Sequence, residues 1–413
     1  MDTAAPVSLL NATLDHLLDR HPETLPVFVN AGLEMVADEG LRASFGTVVT
    51  LRTLLKARDL NADLFCRQLN EAIAEAARTA RKQAMPGTAG APLNLFALLP
   101  CPLKVPIEEA FEAYLDTLPP KERTAYTCCL EGNANHDVDY YALVDHFESI
   151  DDMPDIIVTP GFNSFFHRPF VERFIKPGLF TSVSTFAGDR HLARLGVIDP
   201  QGQYTMLAMN LLVMVADQAR LGDRPAPATW NDLLEPAYRK SVAIRGNRDG
   251  SFCETLLLSI HKDHGESGIA RLGENVRYGW HPSQMVKAAA TGSADAPAVS
   301  VMPYFFARHL QGRGGISIIW PEDGALVSPV TMLVKTGKRE ALQPLVDFLT
   351  GPQVAGICAD ASFPALHPAV DNRLPDTASF KWIGWEYVKD HDIKSLLVEI
   401  NAAFQRAFAG GGA

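Results

Sequence analysis

The sequence predicts an α/β protein preceded by a small all-α domain, and three observations carry that expectation. The first is Leu93-Asn94-Leu95-Phe96-Ala97-Leu98-Leu99, an apolar run of strand length that stops at Pro100-Cys101-Pro102. An amphipathic stretch follows with Val105, Phe111, Tyr114 and Leu115 as its apolar positions, so the whole reads as buried parallel strand, short loop and helix. The second is the return of that strand-then-turn texture at residues 155–161, 241–245, 298–302 and 316–320. The third is Met85-Pro86-Gly87-Thr88-Ala89-Gly90-Ala91-Pro92, a stretch of linker composition with only helical periodicity before it.

Size and composition narrow the function. A chain of 413 residues buries substantial cores and holds more than one domain. Its 47% hydrophobic and 21% charged residues describe an ordinary soluble globular protein. The formal charge, 37 − 48 = −11, and the lack of a Lys/Arg-dense block argue against nucleic acid and anionic membranes as partners. No apolar run is long enough to cross a bilayer; Leu207 to Ala216 is about half the required length. Met1 to Asn11 lacks a basic region, apolar core and cleavage site, so no secretory signal is expected there. Six cysteines in a chain of this length match neither a disulfide scaffold nor zinc spacing, which points to cytoplasm and reduced thiols.

In the opening module, residues 1–82, Leu14, Leu17 and Leu18 share one helical face. Pro22 begins a second segment with Val27, Phe28 and Val29, which Ala31-Gly32 ends. Thr50 is expected to cap a helix through Leu51, Leu54 and Leu55, and Asn61 or Asp63 to cap the next, through Leu64, Leu69 and Ile73. A linker is placed at 83–92. Beyond it, Asp155 to Gly161 leads into Phe162-Asn163-Ser164, and the apolar stretch from Tyr204 to Val215 is long enough to cross between two lobes. Ser241 to Arg245 leads into Asp249-Gly250-Ser251-Phe252-Cys253-Glu254 and a helix from Thr255. Ala298 to Met302 ends at Pro303-Tyr304-Phe305-Phe306, and Ile316 to Trp320 leads through Pro321-Glu322-Asp323-Gly324 into a strand from Val327 to Val334. Such alternation implies a mainly parallel sheet covered on both faces.

Two resemblances sharpen this reading. Leu14-x-x-Leu17-Leu18, His21-Pro22-Glu23, Val27-Phe28-x-x-Ala31-Gly32, Thr50-Leu51 and Leu64 to Asn70 resemble the DUF1858 family of small helical modules. Relatives often carry a Cys-x-x-Cys pair after the Ala-Gly turn; here the place reads Leu33-Glu34-Met35-Val36-Ala37-Asp38, which implies packing or protein-partner recognition rather than dithiol chemistry. Thr229-Trp230-Asn231-Asp232-Leu233-Leu234-Glu235-Pro236-Ala237-Tyr238-Arg239-Lys240, the Pro321-Glu322-Asp323-Gly324 turn, and Leu342 to Leu349 before Gly351-Pro352-Gln353 resemble substrate-binding proteins of ABC importers, ferric-iron-type branch. The resemblance implies a type II periplasmic-binding-protein fold: two α/β lobes with a central cleft that closes by a hinge. Lobe 1 is then 93–205 with 321–413, and lobe 2 is 206–320. Ferric-binding relatives place adjacent tyrosines after the second-lobe strand, where this chain has Tyr304-Phe305-Phe306, so a ferric site of their kind is not expected.

With that fold, loops at strand ends meet in the cleft. Cys101 stands at a helix start, where a thiol is more acidic and coordinates soft metals, or else is wedged between prolines as plain packing. Cys253 occupies the equivalent place in lobe 2; the pair either faces across the cleft to hold a metal ion or cluster edge, or consists of two unrelated core cysteines. Gly161, Phe162 and Asn163 offer backbone and amide donors, against a simple turn. Ser251 binds an oxyanion or caps its helix, and Tyr304 offers a phenol. Tyr204 and Asn210 are candidates to line the first crossing, Glu322 and Asp323 to end the second. Cys128-Cys129 with His136 invites a metal reading against a surface one, Cys66 and Cys358 read as core, and His281 either opens a helix with Pro282 or acts as a ligand.

No Gly-x-Ser-x-Gly, Gly-Lys-Ser/Thr or Gly-x-Gly-x-x-Gly signature occurs, so no catalytic residue is assigned. The expected function is non-catalytic binding of a small anionic or metal-containing ligand in the cytoplasm. The alternative is a cysteine-dependent metal or iron–sulfur cluster carrier or redox enzyme using Cys101 and Cys253, with a homodimer able to supply further thiolates.

Overall fold

In the computed structural model the described residues are 9–31, 33–37, 46, 49–58, 60, 62–83, 93–133, 140–183, 192, 195–246 and 250–410. They form two compact units, Met1–Gly90 and Ala91–Ala413, each with its own core. The linker stretch 85–92, Asn61 and His136 lie outside the described residues.

The first unit is helical. Its described α-helices are α1 (Leu14–Arg20), α2 (Leu25–Asn30), α3 (Leu51–Ala57) and α4 (Ala62–Gln83). Thr13 accepts the His16 N–H at 3.4 Å and Thr50 accepts the Thr53 N–H at 3.3 Å, so the Thr50 cap forms as expected. Asp63 falls inside the first turn of α4, not at the position before it. The core joins Leu14, Leu17, Phe28, Leu51, Leu55 and Leu69, with Phe28 and Phe65 edge to face at 5.1 Å. Leu33 and Val36 are buried in that core, so the place of a dithiol pair does packing work.

Among its described residues, the second unit is organised by one eleven-stranded sheet. Its strands are β1 (Leu95–Leu99), β2 (Cys128–Gly132), β3 (Ile156–Pro160), β4 (Phe180–Thr181), β5 (Thr205–Asp217), β6 (Val242–Ile244), β7 (Val276–Gly279), β8 (Val299–Pro303), β9 (Ile316–Ile319), β10 (Ala325–Lys335) and β11 (Phe380–Lys381). The main order is β2-β1-β3-β10-β5-β8-β6-β7. β1 is buried at every position and parallel to both neighbours, as its unbroken apolar run predicts.

The order splits into two parallel halves, β2-β1-β3 and β8-β6-β7, bridged by the long antiparallel pair β5 and β10. Thr205 and Met206 of β5 pair with β10 inside the first half, whereas Leu212 to Ala216 pair with β8 in the second. β5 and β10 are therefore the crossing strands. Helix α5 (Cys101–Thr117) packs on the first half together with α6 (Gln343–Thr350) and α7 (Pro352–Asp360).

The second half is covered by α8 (Glu254–Asn275) and the C-terminal helix α9 (Ile393–Gly410). Gly273 makes the contact between these helices possible: a Cβ there would lie 2.7 Å from Ala407 Cβ and 2.8 Å from the Phe404 carbonyl oxygen. The resemblance places everything from 321 onward in the first lobe; α9 instead packs on the second half, where it lies against α8 and Phe404 meets Phe252.

The family-like stretch from Thr229 and the Pro321–Gly324 turn dock on each other. The Trp230 indole N–H donates to the Gly324 carbonyl at 2.8 Å, and the Trp230 backbone N–H donates to Asp323 at 3.2 Å. Asp232 Oδ2 receives the backbone N–H groups of Ala228 and Thr229 at 2.7 and 2.8 Å. Asp323 also pairs with Lys381 at 3.1 Å, so this acid fixes the end of the second crossing.

Candidate ligand-binding cleft

The carboxyl ends of parallel strands present open backbone groups, and helices that start there add a favourable field for anions. In the first half, β1 delivers Pro100 and Cys101, the latter exposed as the first residue of α5. Beneath it Lys104 and Glu108 form a buried ion pair at 2.9 Å, which apolar periodicity gave no means of finding. β3 delivers Gly161, whose φ of +73° suits glycine and whose N–H donates to the Pro329 carbonyl at 2.7 Å.

Phe162 turns inward: it is buried, with its ring stacked on Trp382 at 5.8 Å. Asn163 closes its own turn, accepting the Phe165 N–H at 3.0 Å and donating to the Pro160 carbonyl at 3.1 Å. These two expected ligand contacts thus sit in a loop whose side chains build the turn and the core.

In the second half, adjacent strand ends bring together Arg245, Trp280, His281 and Tyr304. The Trp280 N–H donates to the Ile244 carbonyl at 3.0 Å, setting the end of β7 beside the end of β6. Arg245 pairs with Glu254 at 2.5 Å at the start of α8, and its carbonyl receives the Cys253 N–H at 3.0 Å. His281 caps the helix Pro282–Thr291 through Ser283. Desolvation, and then the positive charge of Arg245, hold its imidazole below the usual histidine range.

Tyr304 lies edge-on to Trp320 at 5.3 Å, and Phe306 meets His281 at 5.9 Å. Phe305, between them, stacks instead on Phe363 of the first-half core at 5.2 Å. Consecutive aromatic residues therefore serve two different cores.

The two cysteines have opposite surroundings. Cys101 is exposed, whereas Cys253 is buried, and burial raises its thiol above the ordinary range despite Arg245 nearby. Ser251 is half-buried in a loop tied to α9, where Phe252 N–H donates to Asn401 at 3.1 Å. Cys128 and Cys129 lie in β2, in register with Leu95 and Phe96. Among the described residues no group of three or more His, Cys, Asp or Glu side chains converges.

Tyr204 is fully inside: its hydroxyl donates to the Phe165 carbonyl at 2.8 Å and its ring stacks on Phe166 and Trp385. It does not line the crossing. Asn210 does remain partly exposed, directly opposite the partly exposed Ser328 of β10. Arg245 and Ser328 were not singled out from the sequence; a charged residue directly after a buried strand was the available signal for Arg245.

Two α/β halves joined by crossing strands, with polar strand ends on each side, define a two-lobed solute-binding protein of type II periplasmic-binding-protein fold. The profile of the bacterial extracellular solute-binding protein family matches residues 151–391, more than half of the chain, and the chain belongs to that family. Residues 10–66 match DUF1858, a domain of unknown function. Comparison with curated proteins gives no match.

Among solved structures, Trichodesmium FutA (IdiA) in complex with iron and citrate is similar at 13% identity and TM-score 0.52, covering 77% of this chain and 99% of that one. An ABC transporter structure from Clostridium perfringens is similar at 14% identity and TM-score 0.52, covering 76% and 99%. A Bordetella ferric binding protein is similar at 13% identity and TM-score 0.51, covering 78% and 100%. At such identities the likeness is one of fold. The family's description as extracellular stands against the cytoplasmic expectation. No described helix is long and apolar enough to cross a membrane.

Proposed function

We propose that the chain is a non-catalytic binding protein whose two lobes close over a small anionic ligand. The observation that carries this reading is Arg245, held at the carboxyl end of β6 beside the start of the long helix α8 and partly open to solvent. A guanidinium and backbone N–H groups suit carboxylate or phosphate-like oxygens. Lobe closure would then bring Gly161, Ser328 and Tyr304 against the same ligand.

The similar Bordetella protein is a ferric binding protein. Tyr304 here is followed by Phe305 and Phe306, which pack into cores, so bare ferric ion is not the ligand we propose. The N-terminal module would serve a protein partner. Buried thiols Cys253 and Cys358 suit a reducing cytoplasm, and fractionation of cells carrying the tagged chain tests that compartment.

The deciding experiment is mass spectrometry of ligand released from protein purified without added anions, with melting followed over a panel of carboxylates and phosphates. A co-purified anion, with stabilisation that rises with its concentration, is expected. Absence of any shift, with metal content lost in Cys101→Ser, would instead favour cysteine-dependent cluster handling.

A further inference from the structure

The crossing strands are largely apolar, and at one paired step both carry a partly exposed polar residue. In β10 every residue is buried except Ser328, and Ser328 stands directly across from Asn210 of β5. The carboxamide oxygen Oδ1 of Asn210 is shielded from solvent and has no hydrogen-bond partner among the described residues. Buried acceptors are nearly always satisfied, and an orphaned one destabilises the fold unless something fills the gap.

Loops from both halves approach this step of the crossing. Gly161 approaches Ser328 closely, and a Cβ at Gly161 would lie 3.9 Å from Ser328 Oγ. The turn Tyr304–Ala307, which follows β8, packs against β5 from the second half. Asn210 thus lies on the strand that both halves share, between the Gly161 loop and Tyr304.

We propose that Asn210 selects the ligand, its Oδ1 accepting a hydrogen bond from a hydroxyl or N–H that the bound anion carries. The ligand class is then a hydroxy- or amino-substituted organic acid rather than a fully deprotonated inorganic oxyanion, which has no such donor. This inference rests on the anion-binding reading above. A site built around a buried acceptor discriminates strongly against the analogue lacking the donor, because the acceptor stays unpaired.

The test uses the full chain and two matched pairs of probes, malate against succinate and citrate against tricarballylate, by calorimetry and melting. The hydroxylated member of a binding pair should bind about tenfold tighter or better. In Asn210→Leu that ratio should collapse to about one, and the ligand-free variant should melt no lower than the native chain, since an isosteric apolar group replaces an unsatisfied acceptor. If Asn210→Leu does not fold, Asn210→Ala is read for the same ratio. Equal affinities within each pair, or a ratio retained in the variant, would overturn the role of Asn210 while leaving anion binding intact. Absence of binding by all four probes would overturn this inference, and the anion reading falls with it only when no other carboxylate or phosphate shifts the melt either.

Discussion

Gly324 has a φ of +101°, and a Cβ there would lie 2.4 Å from the carbonyl carbon of Phe380. No side chain fits without moving backbone, and the same glycine's carbonyl anchors the Trp230 indole. Gly324→Ala should therefore cost about 2–4 kcal/mol, read as a lowered urea midpoint. The thiols differ as sharply. Burial pushes Cys358 up to about 12 and also raises Cys253, whereas Cys101 is exposed. A thiol reagent added to native protein should show a fast phase that Cys101→Ser removes, with Cys253 and Cys358 reacting only on unfolding. At His167, desolvation outweighs its contact with Asp145 at 3.1 Å and lowers the imidazole pKa. The unfolded chain then takes up that proton first, so stability should fall as pH drops below about 6.5 and through the folded value. His167→Gln should flatten that segment of the stability profile; an unchanged slope would assign it elsewhere.

At the scale of the element, α9 depends on its apolar stripe. Phe404 is completely buried and packs on Phe252 at 4.5 Å, while Lys240 donates to the Phe408 carbonyl at 2.7 Å near the helix end. Phe404→Ala should cost about 3–5 kcal/mol in chemical denaturation. A loss below about 1 kcal/mol would mean that α9 contributes little to the second half. The crossing strands illustrate the opposite case, where an element's meaning lies in its exceptions. Their apolar length was visible in the sequence, but the pairing of Asn210 with Ser328 depends on a register set by a bulge between Val330 and Thr331.

Across the whole molecule, the helical unit and the α/β unit have separate cores. Residues 91–413 expressed alone should keep a cooperative melt and the ligand response of the full chain. Within that unit, Phe305 stacked on Phe363, with Arg308 donating to Ser362 Oγ at 2.5 Å, ties the second half to the first. Ser362 holds a φ of +67°, a conformation kept by its surroundings. Phe305→Ala should loosen this tie and enlarge the ligand-free radius of gyration in small-angle scattering; an identical scattering curve would show that the crossing strands alone set the lobe arrangement.

The run Leu95–Leu99, the Thr50 cap and the motif around Trp230 were legible because each is local: burial on both faces, a threonine before a helix, an aromatic within a fixed pattern. Phe162 and Tyr204 are not legible because their side chains are held by Trp382 and Phe165, distant partners that sequence spacing does not reveal, whereas Asn163 closes the local turn that the sequence leaves open as its alternative. The docking of α9 on the second half was hidden for the same reason. The amino-acid order by itself determined strand-and-helix alternation and the helical stretch ahead of it. Only tertiary structure decided which polar groups stay open, since that depends on which distant segment covers each strand end.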